Sequence, residues 1–286
     1  MSLIIPEVRP DAAVGEHLLI EALCCVIPPQ TVEAVINECG VREQRSRKLP
    51  SAVTVLLCVA MNLYTADALP DVFRRLVWGL RWLWPKPRDL RVSKAAVSSA
   101  RSRLGACPLA RLFRLVCRPL ATPATPGAFG FGLRLLALDG FTLDLADTPE
   151  NVRAFGKRST DRGECAWPQA RVVALSECGT RAYIDAGVWS HDADERACGR
   201  RLLRSVSRGM LLLWDRGFHS CEMIAAVLSR GAHVLGRLPA TVKPELVRTL
   251  PDGTRIVRLR PADPKMRRAG MAVQVRLIGY TIDDPG

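Results

Sequence analysis

The sequence predicts a chain of mixed class (α+β or α/β), with a helical N-terminal part and then a mixed sheet with helices packed against it. Three observations support this prediction. Apolar residues first recur every three or four positions. A stretch rich in Pro, Thr and Gly follows, and after it short apolar runs alternate with helix-length segments. We therefore expect a helical domain at residues 1–120, a linker at 121–132, a core at 133–240 and a β-rich insertion at 241–286.

Four segments of the N-terminal part have the helical spacing of apolar residues. These are Thr31–Glu38, Ser51–Tyr64, Ala68–Trp78 and Ser93–Leu104. Ser93 suits the N-cap of the last one, and Cys107-Pro108 favours a further helix that runs to about Cys117. Two short helices joined near Gly105 fit a helix-turn-helix-like arrangement, a pattern that many helical bundles share.

The part after the linker has the spacing of strands. The candidate strands are Leu133–Leu138, Phe141–Leu145, Arg171–Ser176, Ala182–Val188, Met210–Trp214 and Ala232–Leu238. Helices are predicted at Asp192–Val206 and Ser220–Arg230. The tail, Pro244–Asp284, alternates about the turn at Pro251–Gly253 and ends in a strand predicted at Val273–Ile282, so an all-β insertion is expected there.

Composition narrows the class of protein. With 48% hydrophobic and 24% charged residues, the chain is typical of a soluble globular protein. Its longest apolar runs, such as Ala52–Met61, are far shorter than the roughly 20 residues of a membrane span. The N-terminus lacks a basic-then-apolar leader, so we expect a cytoplasmic protein with no membrane partner. Ten scattered cysteines without Cys-x-x-Cys pairs favour reduced, structural thiols over zinc ligands.

The net charge of +13 is concentrated in one part of the chain. Residues 42–118 contain sixteen basic and four acidic residues, which indicates a folded surface facing a polyanion. The alternative is a basic protein kept soluble by its arginines. The candidate DNA contacts, most of them to phosphates, are Arg45, Arg47, Lys48, Lys94, Arg101 and Arg103. For Arg45–Lys48 a solvated loop explains the charge equally well.

Two aspartates follow apolar runs that read as central strands. Asp139 follows Leu135–Leu138, and Asp215 follows Met210–Trp214. Strand ends are common sites of catalysis, and two carboxylates on neighbouring strands favour a divalent cation between them. Oxygen ligands of this kind suit Mg²⁺. The alternative is that each aspartate caps a turn, and His219 is either a neighbour of this site or a polar cap.

Other catalytic patterns are missing from the sequence. There is no Gly-rich phosphate loop, no Gly-x-Ser-x-Gly motif and no Cys/His nucleophile arrangement. A hydrolase with a covalent nucleophile is therefore disfavoured.

Four motifs, in order along the chain, resemble the IS4 family of DDE transposases. They are the basic helical region with Arg45–Pro50 and Val92–Gly105, then Leu138–Asn151, then Phe155-Gly156 followed by Trp167–Thr180, and Met210–Ser220. The resemblance implies a ribonuclease-H-like core that binds Mg²⁺ (or Mn²⁺) through a D-D-E triad. Asp139 would be the first acid and Asp215 the second. Phe141 departs from the small hydroxyl residue usual in the family.

The resemblance places the third acid in a Tyr/Arg/Glu/Lys motif beyond the β insertion, and no segment of this sequence has that motif. Glu222 and Glu245 follow Asp215 but lack the neighbours of the motif. We therefore expect a chain truncated at its C-terminus that binds DNA but cuts it poorly or not at all.

The implied activity is cleavage and strand transfer of double-stranded DNA, with element terminal inverted repeats and target DNA as partners. A homodimer in the synaptic complex and a bacterial, nucleoid-associated location go with it. Three alternatives remain: a DNA-binding protein or inhibitor without catalysis, a stand-alone ribonuclease-H-like nuclease, and a basic structural protein. The nuclease would also need a third acid, and the structural protein does not explain why both aspartates close apolar strands.

Overall fold

The chain folds into two compact units, Met1–Val116 and Cys117–Gly286. A computed structural model describes residues 23–45, 47, 49–79, 92–160 and 163–280. Within them, no helix is long and apolar enough to cross a membrane.

The first unit is helical, as predicted. The helices whose two ends both lie among the described residues are α1 (Pro29–Glu38), α2 (Ser51–Leu63), α3 (Leu69–Gly79), α4 (Lys94–Leu104) and α5 (Cys107–Val116). Helix α2 packs against α1, α3 and α4, and α1 also contacts α5. This packing buries several side chains completely, among them Val35, Val55, Leu56 and Leu76, which are all 0% exposed. The core of the unit is therefore built on both sides of the most apolar helix.

Helix α4 begins and ends where the sequence predicts. The Ser93 side chain accepts a hydrogen bond from the Ala96 amide at 3.1 Å, which satisfies one of the free N–H groups of the first turn. Gly105, with φ of 68°, ends the helix, and its amide donates to the Arg101 carbonyl. Because few residues other than glycine adopt this φ, the reversal into α5 is fixed at this position.

The second unit contains a mixed seven-stranded sheet. Its strands are β1 (Phe129–Gly130), β2 (Leu133–Asp144), β3 (Lys157–Thr160), β4 (Gly163–Glu177), β5 (Tyr183–Ser190), β6 (Met210–Trp214) and β7 (His233–Gly236). The central order is β5-β4-β2-β6-β7, with β1 beside β2 and β3 beside the start of β4. Pairing is antiparallel from β5 to β2 and parallel from β2 to β7. The predicted mixed sheet is confirmed.

Three helices accompany the sheet: α6 (Pro149–Phe155), α7 (Glu195–Leu202) and α8 (Cys221–Leu228). Leu136 and Leu138 of β2 and Leu212 of β6 belong to the apolar cluster that α7 and α8 share with the sheet. Helix α7 is shorter than predicted, because Asp194 caps its start and a 3₁₀ turn replaces its last predicted turn.

The segment predicted as a linker lies against the sheet of the second unit. The amides of Leu120 and Ala121 donate to Oε2 of Glu177 at 3.2 and 2.7 Å. Ala128 is fully buried. Elements β1, α6 and β3 were not predicted. Strand β1 has only two residues and lies in the predicted linker, and α6 and β3 contain few apolar residues.

The tail forms a separate three-stranded antiparallel sheet of β8 (Glu245–Thr249), β9 (Arg255–Leu259) and β10 (Val273–Leu277). The all-β expectation is wrong in one detail, because a short helix, α9 (Pro264–Arg268), lies between β9 and β10. Asp263 caps it by accepting from the Lys265 amide, and proline is favoured in the first turn. The last strand ends at Leu277, five residues before its predicted end.

Candidate active site and nucleic-acid interface

The pairing of β2 with β6 determines where the two aspartates lie. The parallel register runs from Arg134 opposite Met210 to Leu138 opposite Trp214. Asp139 follows Leu138 and Asp215 follows Trp214, so the register places the two aspartates side by side. Both are exposed. Their catalytic role stays a prediction.

Asp139 does not end its strand, contrary to the expectation from the sequence. Strand β2 continues to Asp144, because β4 pairs with it along that whole length. Only the pairing with β6 ends at this point, because the chain leaves the sheet at Asp215 and enters a 3₁₀ turn, Arg216–Phe218. The aspartates therefore lie where one strand ends beside another that continues.

Each aspartate makes one local hydrogen bond. Oδ1 of Asp139 accepts from the Gly140 amide at 2.8 Å, and Oδ1 of Asp215 accepts from the Gly217 amide at 2.8 Å. Asp215 thus does cap a turn, as the alternative interpretation held. Within the described residues, the second carboxylate oxygen of each has no hydrogen-bond or ion-pair partner. One oxygen on each aspartate is therefore free for a ligand.

A third carboxylate lies near this position, and the sequence did not point to it. A Cβ at Gly140 would overlap Oε1 of Glu195, so the Glu195 side chain lies over the backbone next to Asp139. Arg171 of β4 holds it, with Nη1 at 3.6 Å from Oε1. The signal in the sequence would have been the glycine after Asp139, which leaves room for a side chain from another element.

Helix α7 joins the two sides of the site. It contacts β2 and the 3₁₀ turn after Asp215. Gly199 allows this, because a Cβ there would lie 2.8 Å from the Phe218 ring and 3.2 Å from Leu138. His219, at the end of the turn, is half-buried. Its burial lowers the pKa of the imidazole, and the nearby charge of Arg196 lowers it further.

The donor set fits a divalent cation only in part. Carboxylate oxygens are the ligands that Mg²⁺ prefers, and it needs one or two from protein. Asp139 and Asp215 supply that number. Among the described residues, no group of three or more His, Cys, Asp or Glu side chains could hold a metal.

Four arginines in the described part of the helical unit form ion pairs with carboxylates of the same unit. The pairs are Arg42–Glu33, Arg74–Asp71, Arg75–Asp67 and Arg111–Glu38. The last has an Nε–Oε2 distance of 2.6 Å and joins α5 to α1. Charge paired in this way is less available to a polyanion.

The predicted DNA contacts fall into two groups. Arg47 and Arg103 line one depression of about 170 Å³, together with Leu49, Ala96 and Ser99. Arg45 and Lys94 are exposed elsewhere on the unit, and Lys48 lies outside the described residues.

Arg101 has a different environment from Arg103. Burial raises the pKa of the Cys58 thiol on α2, and the charge of Arg101 and its hydrogen bond to this thiol partly offset that effect. Two arginines that look equivalent in the sequence are thus directed to different neighbours.

All ten cysteines are free thiols. Cys198 and Cys221 are buried in the second unit, and burial raises the pKa of each. A hydrogen bond with Cys107, together with burial, raises the pKa of Cys39 to about 11. These thiols are largely protonated at neutral pH, as expected for small hydrophobic side chains.

Comparison with known proteins finds similarity to transposases. Residues 18–114 match the family described as the insertion element 4 transposase N-terminal domain. The chain is 28% identical over 261 residues to the transposase InsG for insertion sequence element IS4 of Escherichia coli K12, covering 89% of this chain and 58% of InsG. It is 25% identical over 215 residues to InsZ of the same strain, also named as a transposase, covering 75% of this chain and 69% of InsZ.

One solved structure, a piggyBac transposase synaptic complex with hairpin DNA, aligns with this chain at a TM-score of 0.33 and 11% sequence identity. The alignment covers 94% of this chain and 54% of the piggyBac chain. A similarity this low does not define the fold.

The chain is thus related to the transposases of insertion sequences. Within that class, residues 18–114 are similar to the N-terminal domain of the IS4 family, and most of the chain is similar to InsG of element IS4. The chain spans little more than half the length of InsG.

Proposed function

We propose that this chain is an insertion-sequence transposase that binds the element ends and cuts and joins DNA there by metal-dependent phosphoryl transfer, at an impaired rate because no segment of the sequence carries the motif of the third acid. The observation that carries the proposal is the β2–β6 register, which brings Asp139 and Asp215 together. A mixed sheet with this pair at adjacent positions supports the ribonuclease-H-like core that the IS4 resemblance implies.

Each part of the chain has a role in this proposal. The helical unit binds DNA, residues 133–240 form the catalytic core and residues 241–286 form part of an insertion. Two copies would act together when two element ends are held in one complex. Double-stranded DNA at the terminal inverted repeats and at the target is the partner.

Asp139 and Asp215 would hold Mg²⁺ or Mn²⁺ through their free oxygens, Asp139 as the shared ligand. Such ions, when bound, activate a water or a DNA 3′-hydroxyl and stabilise the oxygen that leaves phosphorus. The amides of Gly140 and Gly217 fix the other carboxylate oxygens. The two carboxylates are thus held in fixed orientations before any ligand arrives.

The test is cleavage of a supercoiled plasmid that carries the inverted repeats flanking the gene, with Mg²⁺ present. Asp139→Asn and Asp215→Asn are each expected to reduce cleavage at least ~100-fold, since a metal ligand contributes several kcal/mol. Asp144→Asn is the matched control, because Asp144 lies on the same strand but is bonded to Gln169. Cleavage that survives both substitutions would refute the assignment.

A second candidate function is DNA binding without catalysis, as in an inhibitor of a full-length enzyme. It is favoured by the donor set, which among the described residues has two adjacent carboxylates rather than three. Binding of inverted-repeat DNA without any cleavage by the unaltered chain would support this candidate over the first.

A further inference from the structure

The depression between the loop before α2 and helix α4 brings together groups from two parts of the sequence. Ser99 and Arg103 lie four residues apart and therefore share one face of α4. Leu49 is 3% exposed and anchors the loop to the core of the unit. Arg47, two residues earlier, is thereby held at the same opening.

Among the described residues, no carboxylate neutralises the two guanidinium groups at this opening. Four other arginines of the unit pair with carboxylates. Within the described part of the chain, neither Arg47 nor Arg103 has a hydrogen-bond or ion-pair partner, and both are exposed. Two free cations beside one depression form a site for an anion.

The surface of α4 allows close approach of a large polyanion. The helix contains no acidic residue. Its outward residues besides the basic ones are small: Ala95, Ser98, Ser99 and Ser102. Small side chains let a nucleic-acid backbone approach the helix, and serine hydroxyls donate to phosphate oxygens.

We infer that Arg47, Ser99 and Arg103 together bind one backbone phosphate of duplex DNA, with the adjoining deoxyribose against Leu49 and Ala96. The inference rests on the proposed DNA-binding function and adds the point of contact. It also separates Arg103, which lines the depression, from Arg101, which does not.

The salt dependence of binding tests whether the two arginines serve a single phosphate. Affinity for a labelled 30-base-pair duplex is measured by fluorescence anisotropy between about 50 and 200 mM salt, a range over which phosphate contacts are resolved. Arg47→Ala/Arg103→Ala together are expected to reduce the log–log slope by about one, the value for one phosphate. No change in slope, or a reduction of about two, would overturn the inference.

Two matched controls separate this contact from general charge effects. Arg114→Ala removes the same charge from α5, outside the depression, and is expected to leave the slope unchanged. Ser99→Asp and Ser102→Asp add the same charge to α4, but only Ser99 lines the depression. Ser99→Asp is expected to weaken binding at least tenfold more than Ser102→Asp, and equal losses would count against a local site.

Failure of the inference is distinguishable from failure of the proposed function. A chain that binds no duplex DNA at all refutes the proposed function, whatever the variants do. Tighter binding of an RNA duplex than of DNA would overturn the assigned partner. Arg103 also lies in the last turn of α4, where a cation stabilises the helix dipole. Thermal unfolding of each variant therefore accompanies the binding curves, and lost affinity explained wholly by unfolding would overturn the inference.

Discussion

In the helical unit, arginines meet carboxylates at the surface, whereas in the sheet unit two carboxylates are buried beneath their arginines. Arg111 and Glu38 of the first unit are 45% and 50% exposed. Glu177 of the second is 0% exposed and Asp185 is 3% exposed, each paired with an arginine that reaches solvent. The same ion pair chemistry thus occurs at opposite extremes of burial.

The difference separates charges that stabilise the fold from charges that are free for a partner. An exposed pair contributes little because water and salt screen it. A buried carboxylate must be fully bonded, and removing it leaves several groups unsatisfied. Arg47 and Arg103, which have no ion-pair partner among the described residues, and the exposed Asp139 and Asp215 belong to neither kind. We therefore assign the arginines to a DNA phosphate and the aspartates to a metal ion.

The largest expected effect follows substitution of Glu177. Its carboxylate accepts hydrogen bonds from two backbone amides, from Thr180 Oγ1 at 2.6 Å and from Arg134. We expect Glu177→Ala to reduce the free energy of unfolding by about 3–5 kcal/mol, since breaking a buried pair leaves its partners unsatisfied. Urea unfolding followed by circular dichroism measures this. Asp185→Ala, which removes the hydrogen-bond acceptor of Arg204 and Ser205, is the parallel case. If both variants lost less than about 1 kcal/mol of unfolding free energy, buried and exposed ion pairs would not differ as we describe.

The pH dependence of stability tests the same carboxylate. Burial raises the pKa of Glu177, but hydrogen bonds from Thr180, the Ala121 amide and Arg134 outweigh it and hold the pKa below its ordinary 4.5. Its contribution to stability is therefore full above about pH 4.5 and is lost as the pH falls through the lowered value. Unfolding curves between pH 6 and pH 3 are expected to show this loss in the unaltered chain and a smaller one in Glu177→Gln. Identical pH profiles would remove Glu177 as the cause.

A smaller effect is expected at the packing of α7. In Gly199→Ala the added methyl meets the Phe218 ring and Leu138, and overpacking of this kind costs about 1–3 kcal/mol. Because these two residues adjoin Asp215 and Asp139, cleavage is expected to fall further than stability alone explains. Gly279→Ala, with no atom within 4 Å of the added Cβ, is the control. Equal effects of both substitutions would show that α7 does not position the site.

The smallest effect is expected at a surface pair. Glu38→Ala removes the partner of Arg111, and the unfolding temperature should change little, with the difference disappearing in 1 M salt. Thermal unfolding at low and high salt measures this. A large fall in the unfolding temperature that salt does not change would show that this exposed pair stabilises the fold as a buried pair does.

Several elements could be predicted because capping residues, turn residues and apolar runs mark their ends in the sequence itself. Helix α4 has its capping serine before it and its glycine after it, and Met210–Trp214 is a continuous apolar strand with turn residues after it. Elements without such a pattern were missed. Strand β3 and helix α6 are short and mostly exposed, so burial imposed no apolar periodicity on their residues.

The boundaries of β2 show the limit of local signals. The Asp139-Gly140 pair reads as the end of a strand, since both residues are common in turns. Strand β4 nevertheless pairs with β2 beyond them to Asp144. The length of a strand is thus set by its neighbours, which lie about thirty residues away along the chain and leave no mark at Asp139 itself.

By itself, the sequence determined the two-part organisation, the excess of positive charge before residue 118 and the two aspartates that follow apolar strands. These depend on composition and on neighbours along the chain. Only the tertiary structure decided that Glu195 lies over Gly140, that Glu177 is buried, and that Arg47 and Arg103 line one depression. Such contacts join residues far apart in sequence, and the direction of a side chain depends on packing that no local pattern records.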